Sequence, residues 1–139
     1  MITLIHLNSR LMTDGLTGWD TEQGKVYADL TTFPKGDAEV EAALDFQPKA
    51  FKLVAKIDFN GEQEQALEQA FMHTQHVNEH WFDALGDEVL ETFVDKSVTR
   101  STSVGDVMVK DGKGYLVAPV GFVELSPETT ARVLASIEG

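Results

Sequence analysis

Three histidines and one glutamate near the middle of the chain have the residue types and spacing closest to those of a metal site. His73, His76 and His80 follow one another at short intervals, and Glu79 directly precedes the last. If a helix continues past Val77, the three imidazoles share its polar side, where a pair at i and i+3 chelates a metal and a carboxylate completes the set. The helical zinc signature His-Glu-x-x-His does not occur. The pattern therefore favours solvated surface histidines, and a metal-dependent hydrolase using His73, His76 and Glu79 is kept as an alternative.

A second polar group lies in the run Arg100-Ser-Thr-Ser-Val-Gly-Asp-Val. A serine nucleophile requires a base, and the nearest histidine, His80, belongs to another zone of the chain. The Val-Gly-Asp sequence instead predicts a bend in which Gly105 supplies the backbone conformation and Asp106 binds backbone amides. Arg100 either pairs with acids earlier in the chain and holds the sheet against a helix, or lies open on the surface. We predict no catalytic residue and no cofactor.

Acidic charge is concentrated in one segment. The chain has 23 acids and 11 bases, for a net charge of −12, and the segment from Ile57 to Asp95 has ten acids without a Lys or Arg. Such a field repels phosphate backbones and favours a basic protein partner, although solubility alone also explains an acidic composition. The predicted acidic interaction surface consists of Glu62, Glu64, Glu68, Asp83, Asp87 and Glu88.

Length and composition limit the class of protein. With 139 residues, of which 42% are hydrophobic, the chain is predicted to form a single domain over residues 1–139 with a packed core. Because it has no cysteine, disulfides and thiolate sites are excluded. No apolar run approaches the roughly 20 residues of a membrane span, and the N-terminus lacks a signal pattern. We expect a soluble, cytoplasmic protein with no membrane contact.

The elements predicted from hydrophobic periodicity and turn residues are mixed in type. The helix over 62–76 is the clearest, because Ala66, Leu67, Ala70 and Phe71 form one apolar stripe. Asp111-Gly112 predicts a hairpin turn, and Ser126-Pro127 predicts the start of a last helix that ends near residue 137. A helix near 37–47 and strands at 2–7, 26–30, 51–59, 90–94, 96–102, 107–109, 115–118 and 121–125 complete the set.

These elements predict an α+β fold. We expect a mostly antiparallel, twisted sheet of about five to seven strands, with two or three helices packed on one side. A variant is a partial barrel formed by the strand-rich carboxy-terminal half.

Two segments resemble a known family. The run from Arg100 to Val107, the hairpin that leads to Tyr115-Leu-Val, and Val120-Gly-Phe-Val-Glu-Leu resemble the carboxy-terminal signature of YodL-like domains, which phages, plasmids and integrative elements of bacteria encode. The run from Ala70 to Trp81 resembles a second feature of that family, a phenylalanine-bearing helix followed by Thr-Asn and a tryptophan, although this chain has Thr74-Gln75. The resemblance covers about Phe51 to Leu125. Its most notable positions are Arg100, Ser103, Gly105, Asp106, Gly121 and Phe122, which we interpret as structural.

The resemblance implies a mobile genetic element as the setting and supplies no reaction. Together with the charge pattern it predicts a non-enzymatic accessory protein that binds a basic protein and not nucleic acid directly. A narrower hypothesis is a DNA mimic that blocks a host defence nuclease or another DNA-binding protein. The alternatives are the metal-dependent hydrolase and a structural or packaging component of the element.

Overall fold

The fold is given by a computed structural model, which describes residues 1–59, 63–76 and 79–138, with the backbone alone at residues 63 and 64. Glu62 thus lies outside the described residues, as does the side chain of Glu64.

Within these described ranges, six strands form a single open sheet. They are β1 (Ile2–Leu7), β2 (Phe51–Ile57), β3 (Val89–Thr92), β4 (Val107–Lys110), β5 (Lys113–Val117) and β6 (Phe122–Glu124). Their order across the sheet is β3-β2-β1-β4-β5-β6, and every pairing is antiparallel. The predicted α+β class is confirmed. The partial barrel is wrong, because the short strands β3 and β6 end the sheet at opposite edges.

The β4–β5 hairpin forms where the sequence predicts it. Asp111 and Gly112 connect the strands with φ angles of 53° and 79°. Two successive residues with positive φ are typical of the tight turn whose twist matches that of antiparallel strands. The hairpin thus fixes the register of β4 against β5, in which Val107 pairs with Leu116.

The central strands are buried on both faces of the sheet. In β4, Met108 belongs to one apolar cluster and its neighbours Val107 and Val109 to another, as expected because successive side chains of a strand alternate between faces. In β1 a bulge between Leu4 and Ile5 shifts the alternation. One strand therefore supplies core residues to both clusters.

In the part of the chain that the structure describes, six helices cover the two faces. They are α1 (Ser9–Thr13), α2 (Glu22–Thr32), α3 (Asp37–Phe46), α4 (Gln63–His73), α5 (Trp81–Leu85) and α6 (Pro127–Ser136). Residues of α4 and α5 belong to the cluster of one face, and residues of α1, α2, α3 and α6 to the cluster of the other. The expectation of two or three helices on one side is wrong, because strands that are apolar at consecutive positions need cover on both faces.

Two predicted strands are not strands. Residues 26–30 lie inside α2, whose first turn is capped by Thr21: the Thr21 hydroxyl oxygen accepts a hydrogen bond from the backbone N–H of Gly24. Residues 96–102 begin with a short 3₁₀ turn, Lys96–Val98, and continue without regular structure. Both strands were predicted from β-branched residues. The predictions are wrong because tertiary contacts outweigh strand propensity in these segments.

Helix α4 is shorter than predicted. It ends at His73, so His76 and His80 lie outside this helix and do not share a face of it with His73. The next residue, Thr74, is buried, and its hydroxyl group donates to the carbonyl oxygen of Ala70 at 2.6 Å.

Over the described ranges, none of the helices has both the length and the apolar composition that a membrane span requires.

Candidate functional site

Asp106 is the centre of a buried polar cluster. Its side chain is 0% exposed, and both carboxylate oxygens bind the guanidinium group of Arg100, each at 2.7 Å. The backbone N–H of Leu7 donates to Oδ1 at 2.7 Å, and that of Ser103 donates to Oδ2 at 2.8 Å. Four donors on two oxygens use the main acceptor positions of a carboxylate. Asp106 is thus enclosed by donors inside the protein and has no oxygen available to a substrate.

Arg100 joins this carboxylate to the end of β1. Its Nη2 also donates to the carbonyl oxygen of Leu7 at 2.8 Å, and its Nη1 donates to that of Ser101 at 2.9 Å. Burial lowers the pKa of Arg100, but the hydrogen bond and negative charge of Asp106 outweigh it, so the net pKa is raised. Both sequence expectations for Arg100 are corrected: it pairs with Asp106 of its own segment, and it is half-buried.

Gly105 allows this segment to approach α2. Its φ is 97°, and a Cβ at this position would lie 3.2 Å from the carbonyl oxygen of Leu30. Glycine adopts positive φ without the steric cost that other residues incur. The predicted glycine bend with an aspartate that binds backbone amides is present. Gly121 also has a positive φ, 74°, in the turn that precedes Phe122 of β6.

His6 extends the cluster into the sheet. It is buried in β1, with Nε2 3.0 Å from the hydroxyl oxygen of Thr102 and 3.8 Å from Oδ2 of Asp106. The hydroxyl oxygen of Thr102 lies 2.7 Å from that of Thr74, so the contacts continue to α4. Within the described residues, Nδ1 of His6 has no hydrogen-bond partner. Burial lowers the pKa of His6 to about 4, and the opposing charge of Asp106 is too weak to restore it.

The segment around Arg100 is bound by the residues that follow α4. The backbone N–H of Thr102 donates to the carbonyl oxygen of Thr74 at 2.9 Å, and the Gln75 amide donates to that of Thr102 at 2.8 Å. The indole N–H of Trp81 donates to the carbonyl oxygen of Arg100 at 3.0 Å. The two segments singled out by the family resemblance therefore contact each other. Together, His6, Thr74, Arg100, Thr102 and Asp106 are called the polar cluster below.

Two of the predicted metal ligands use both ring nitrogens within the protein. Nε2 of His76 lies 2.9 Å from the carbonyl oxygen of Thr99, and its Nδ1 accepts from the N–H of Trp81 at 3.3 Å. His80 is bound in the same way, through the carbonyl oxygen of Lys96 and the N–H of Phe82. Because a carbonyl oxygen only accepts and a backbone N–H only donates, Nε2 carries the proton in both rings.

The third histidine lies apart from this pair. The His73 ring packs against Phe59, with ring centroids 5.8 Å apart. In the described part of the chain, no three His, Asp or Glu side chains are grouped so that they could hold a metal ion. The structure thus does not bring His73, His76 and Glu79 together as the hydrolase alternative requires.

The acids of the segment from 57 to 95 lie on the protein surface. Those with described side chains are all exposed: Asp58, Glu68, Glu79, Asp83, Asp87, Glu88, Glu91 and Asp95. They belong to α4, α5, β3 and the segments that precede and follow these elements, and we call them the acidic layer. Two lysines adjoin it: Lys96 forms a salt bridge with Asp83, and Lys56 of β2 is opposite Glu91 of β3. Exposed like charges that lie near one another repel, and single ion pairs at a surface contribute little to stability.

Sequence analysis missed most of the polar cluster. His6, Thr74 and Thr102 lie far apart in the chain, and one local signal was available, a histidine inside the apolar strand 2–7. Comparisons of this chain with protein-family models, curated proteins and solved structures give no match. The family resemblance stays a prediction.

Proposed function

We propose that this chain is a non-enzymatic accessory protein of a bacterial mobile element, a phage or a plasmid, and that it binds a basic protein through the acidic layer. The mobile-element setting comes from the resemblance to YodL-like domains. The proposed site of action is the cytoplasm of the host cell, with no membrane partner and no direct contact with nucleic acid.

One observation carries the binding role: the eight described acids of the acidic layer are all exposed. Charges that stabilise a fold are commonly buried, as Asp106 is, whereas exposed charges act mainly on solubility and on association with charged partners. A basic partner would gain attraction from many of these acids at once. The sum would raise the association rate more than any single ion pair.

The enzymatic alternative has less support. Asp106 is buried and its oxygens are occupied, and His76 and His80 use both ring nitrogens for backbone contacts. A metal ion would have to displace those contacts, each of which holds the segment around Arg100 or the start of α5. No contact in the described residues favours a packaging role.

The narrower form of the proposal concerns the partner's own ligand. A set of solvated carboxylates presents negative charge at a surface, as a DNA backbone does, and competes for a basic groove. If the partner is a DNA-binding protein, the acidic layer and DNA should exclude each other. Competition between the two for the captured partner tests this form.

Differential capture tests the binding role. The bait is the full chain in three forms: unaltered, with six predicted acids changed to amides, and with six other exposed acids changed to amides. The first set is Glu62, Glu64, Glu68, Asp83, Asp87 and Glu88; the matched set is Asp14, Asp20, Glu22, Asp29, Glu128 and Glu138. We expect a protein from the bacterial lysate that the unaltered and matched forms retain and that the first variant loses. Equal retention of every captured protein by all three baits would contradict the proposal.

A further inference from the structure

An apolar groove lies between α4 and the turn from β5 to β6. It has a volume of about 270 Å³. That volume is slightly below the range of about 300–1,000 Å³ that is usual for small-molecule sites. Its main lining residues are Phe71, Met72, Val104, Ala118, Pro119 and Phe122. The groove is thus suited to one or two side chains of a protein partner.

Apolar side chains at the groove are open to solvent. Met72 is 66% exposed, and Val120, in the turn beside the groove, is 93% exposed. Single exposed apolar residues are ordinary, but a cluster around a concave surface is typical of an interaction site. Methionine suits such a site because its unbranched thioether adapts to different partners and makes favourable contacts with aromatic rings.

The charge at the groove is negative. Glu68 of the acidic layer is one of the lining residues, and no Lys or Arg within the described ranges is among them. Glu124 is exposed, pairs with Tyr115 in the β5–β6 register, and lies two residues after Phe122. Residues two apart on a strand share a face, so Glu124 is on the same face of the sheet as Phe122. An occupant with basic groups beside its apolar side chain fits both features.

We propose, on the basis of the proposed function, that this groove holds one large apolar side chain of the basic partner, from a segment with Lys or Arg next to that side chain. The apolar side chain fills the space between Phe71, Met72 and Phe122. The neighbouring cations lie near Glu68 and Glu124. The apolar side chain buried in the groove slows dissociation of the partner. The charges at the rim of the groove raise the association rate.

Peptides of defined sequence test this occupant. The probe has nine residues, with a central phenylalanine, two lysines on each side and glycines at the ends. Its controls carry serine in place of phenylalanine, or glutamate in place of every lysine. In a titration of the isotope-labelled protein, we expect the probe to shift the backbone amide resonances of residues 71, 72, 118 and 122, with a Kd at least fivefold lower than that of either control. No shift at these residues overturns the proposal.

A pair of matched variants locates the contact. Met72→Gln removes an exposed apolar side chain inside the groove, and Leu90→Gln removes one outside it on β3; neither changes the charge. The Met72 variant should raise the Kd of the probe at least fivefold, and the Leu90 variant should leave it unchanged. Equal effects of the two variants overturn the assignment.

The outcomes separate the groove from the acidic layer. Shifts at residues 83, 87 and 88 without shifts in the groove retain the proposed function and exclude the groove. Equal binding of the lysine and glutamate peptides in the groove overturns the proposed preference of the groove for a basic segment. The acidic layer is then tested separately, with the variants in which six acids are changed to amides.

Discussion

At the scale of single residues, the ion pair between Arg100 and Asp106 stabilises the fold. The carboxylate is fully buried and has four donors, and the guanidinium group joins β1 to the segment that precedes β4. Breaking such a pair leaves a charge without compensation in a site closed to water, which costs more than the pair itself contributes.

Arg100→Met should therefore destabilise the protein by about 3 kcal/mol or more, because Asp106 keeps its burial and loses its counter-charge. The matched control is Arg10→Met, since Arg10 is exposed on α1; we expect a change below about 0.5 kcal/mol for it. Urea denaturation of both variants measures the difference. Similar losses of unfolding free energy in the two variants would show that the ion pair of Arg100 and Asp106 stabilises the protein no more than an exposed arginine does.

His6 should make stability depend on pH. Its pKa is about 4 in the folded protein and 6.5 in the unfolded chain, so below pH 6.5 the unfolded chain binds a proton that the folded protein does not. Stability from His6 is therefore fully present above pH 6.5 and is lost as the pH falls toward 4, by about 3 kcal/mol in total. Asp106, Arg100, Lys52 and His76 are the charged groups that act on it.

The measurement is the free energy of unfolding at pH 7 and pH 4.5, for the unaltered protein and for His6→Gln. Because carboxylates titrate in both proteins, the difference between the two losses isolates His6. The unaltered protein should lose about 2–3 kcal/mol more than the variant. Equal losses would show that His6 is not held neutral by burial.

At the scale of elements, the success of sequence analysis depends on whether the signal is local. The β4–β5 hairpin follows from Asp111-Gly112, and the start of α6 follows from Ser126-Pro127, whose serine caps the helix. Both signals lie within four residues of the structure that they specify. They were predicted correctly for that reason.

The sequence predictions that were wrong concern residues whose contacts are distant in the chain. Residues 99–102 of the predicted strand 96–102 resemble a strand in composition, yet their backbone groups bind Thr74, Gln75, His76 and Trp81, and the Thr102 side chain contacts His6, 96 positions away. Nothing in the local sequence identifies these partners. The bulge in β1 and the helices on the second face of the sheet are equally products of the assembled core.

Gly105 tests how tightly the segment before β4 is packed. Gly105→Ala would place a methyl group against the carbonyl oxygen of Leu30 at a φ of 97°, whereas Gly15, with a φ of 70°, has open space around it. Both variants incur the cost of positive φ, about 1–2 kcal/mol, and the first adds a steric contact. Thermal and urea unfolding should show a loss at least about 1 kcal/mol larger for Gly105→Ala. A loss no larger than that of Gly15→Ala would contradict the close approach to α2.

At the scale of the whole molecule, the charged groups serve two separate roles. Asp106 is buried and neutralised within the polar cluster, while the acidic layer leaves its carboxylates in solvent. The net charge of −12 was evident from composition, and the exposure of the described acids in the acidic layer required the structure. A surface that recognises a partner differs from one that only confers solubility in its effect on affinity.

Salt dependence of affinity is the most direct measure of the central claim. The partner retained by the unaltered chain is titrated at 50, 150 and 300 mM salt against that chain and against the two six-acid variants. Salt screens exposed charges beyond roughly 8 Å at physiological strength. The Kd of the unaltered chain and of the matched control should therefore rise at least tenfold across the series. The variant lacking the predicted acids should bind weakly at low salt and change little. A Kd that is flat with salt and equal in all three proteins would contradict binding through the acidic layer.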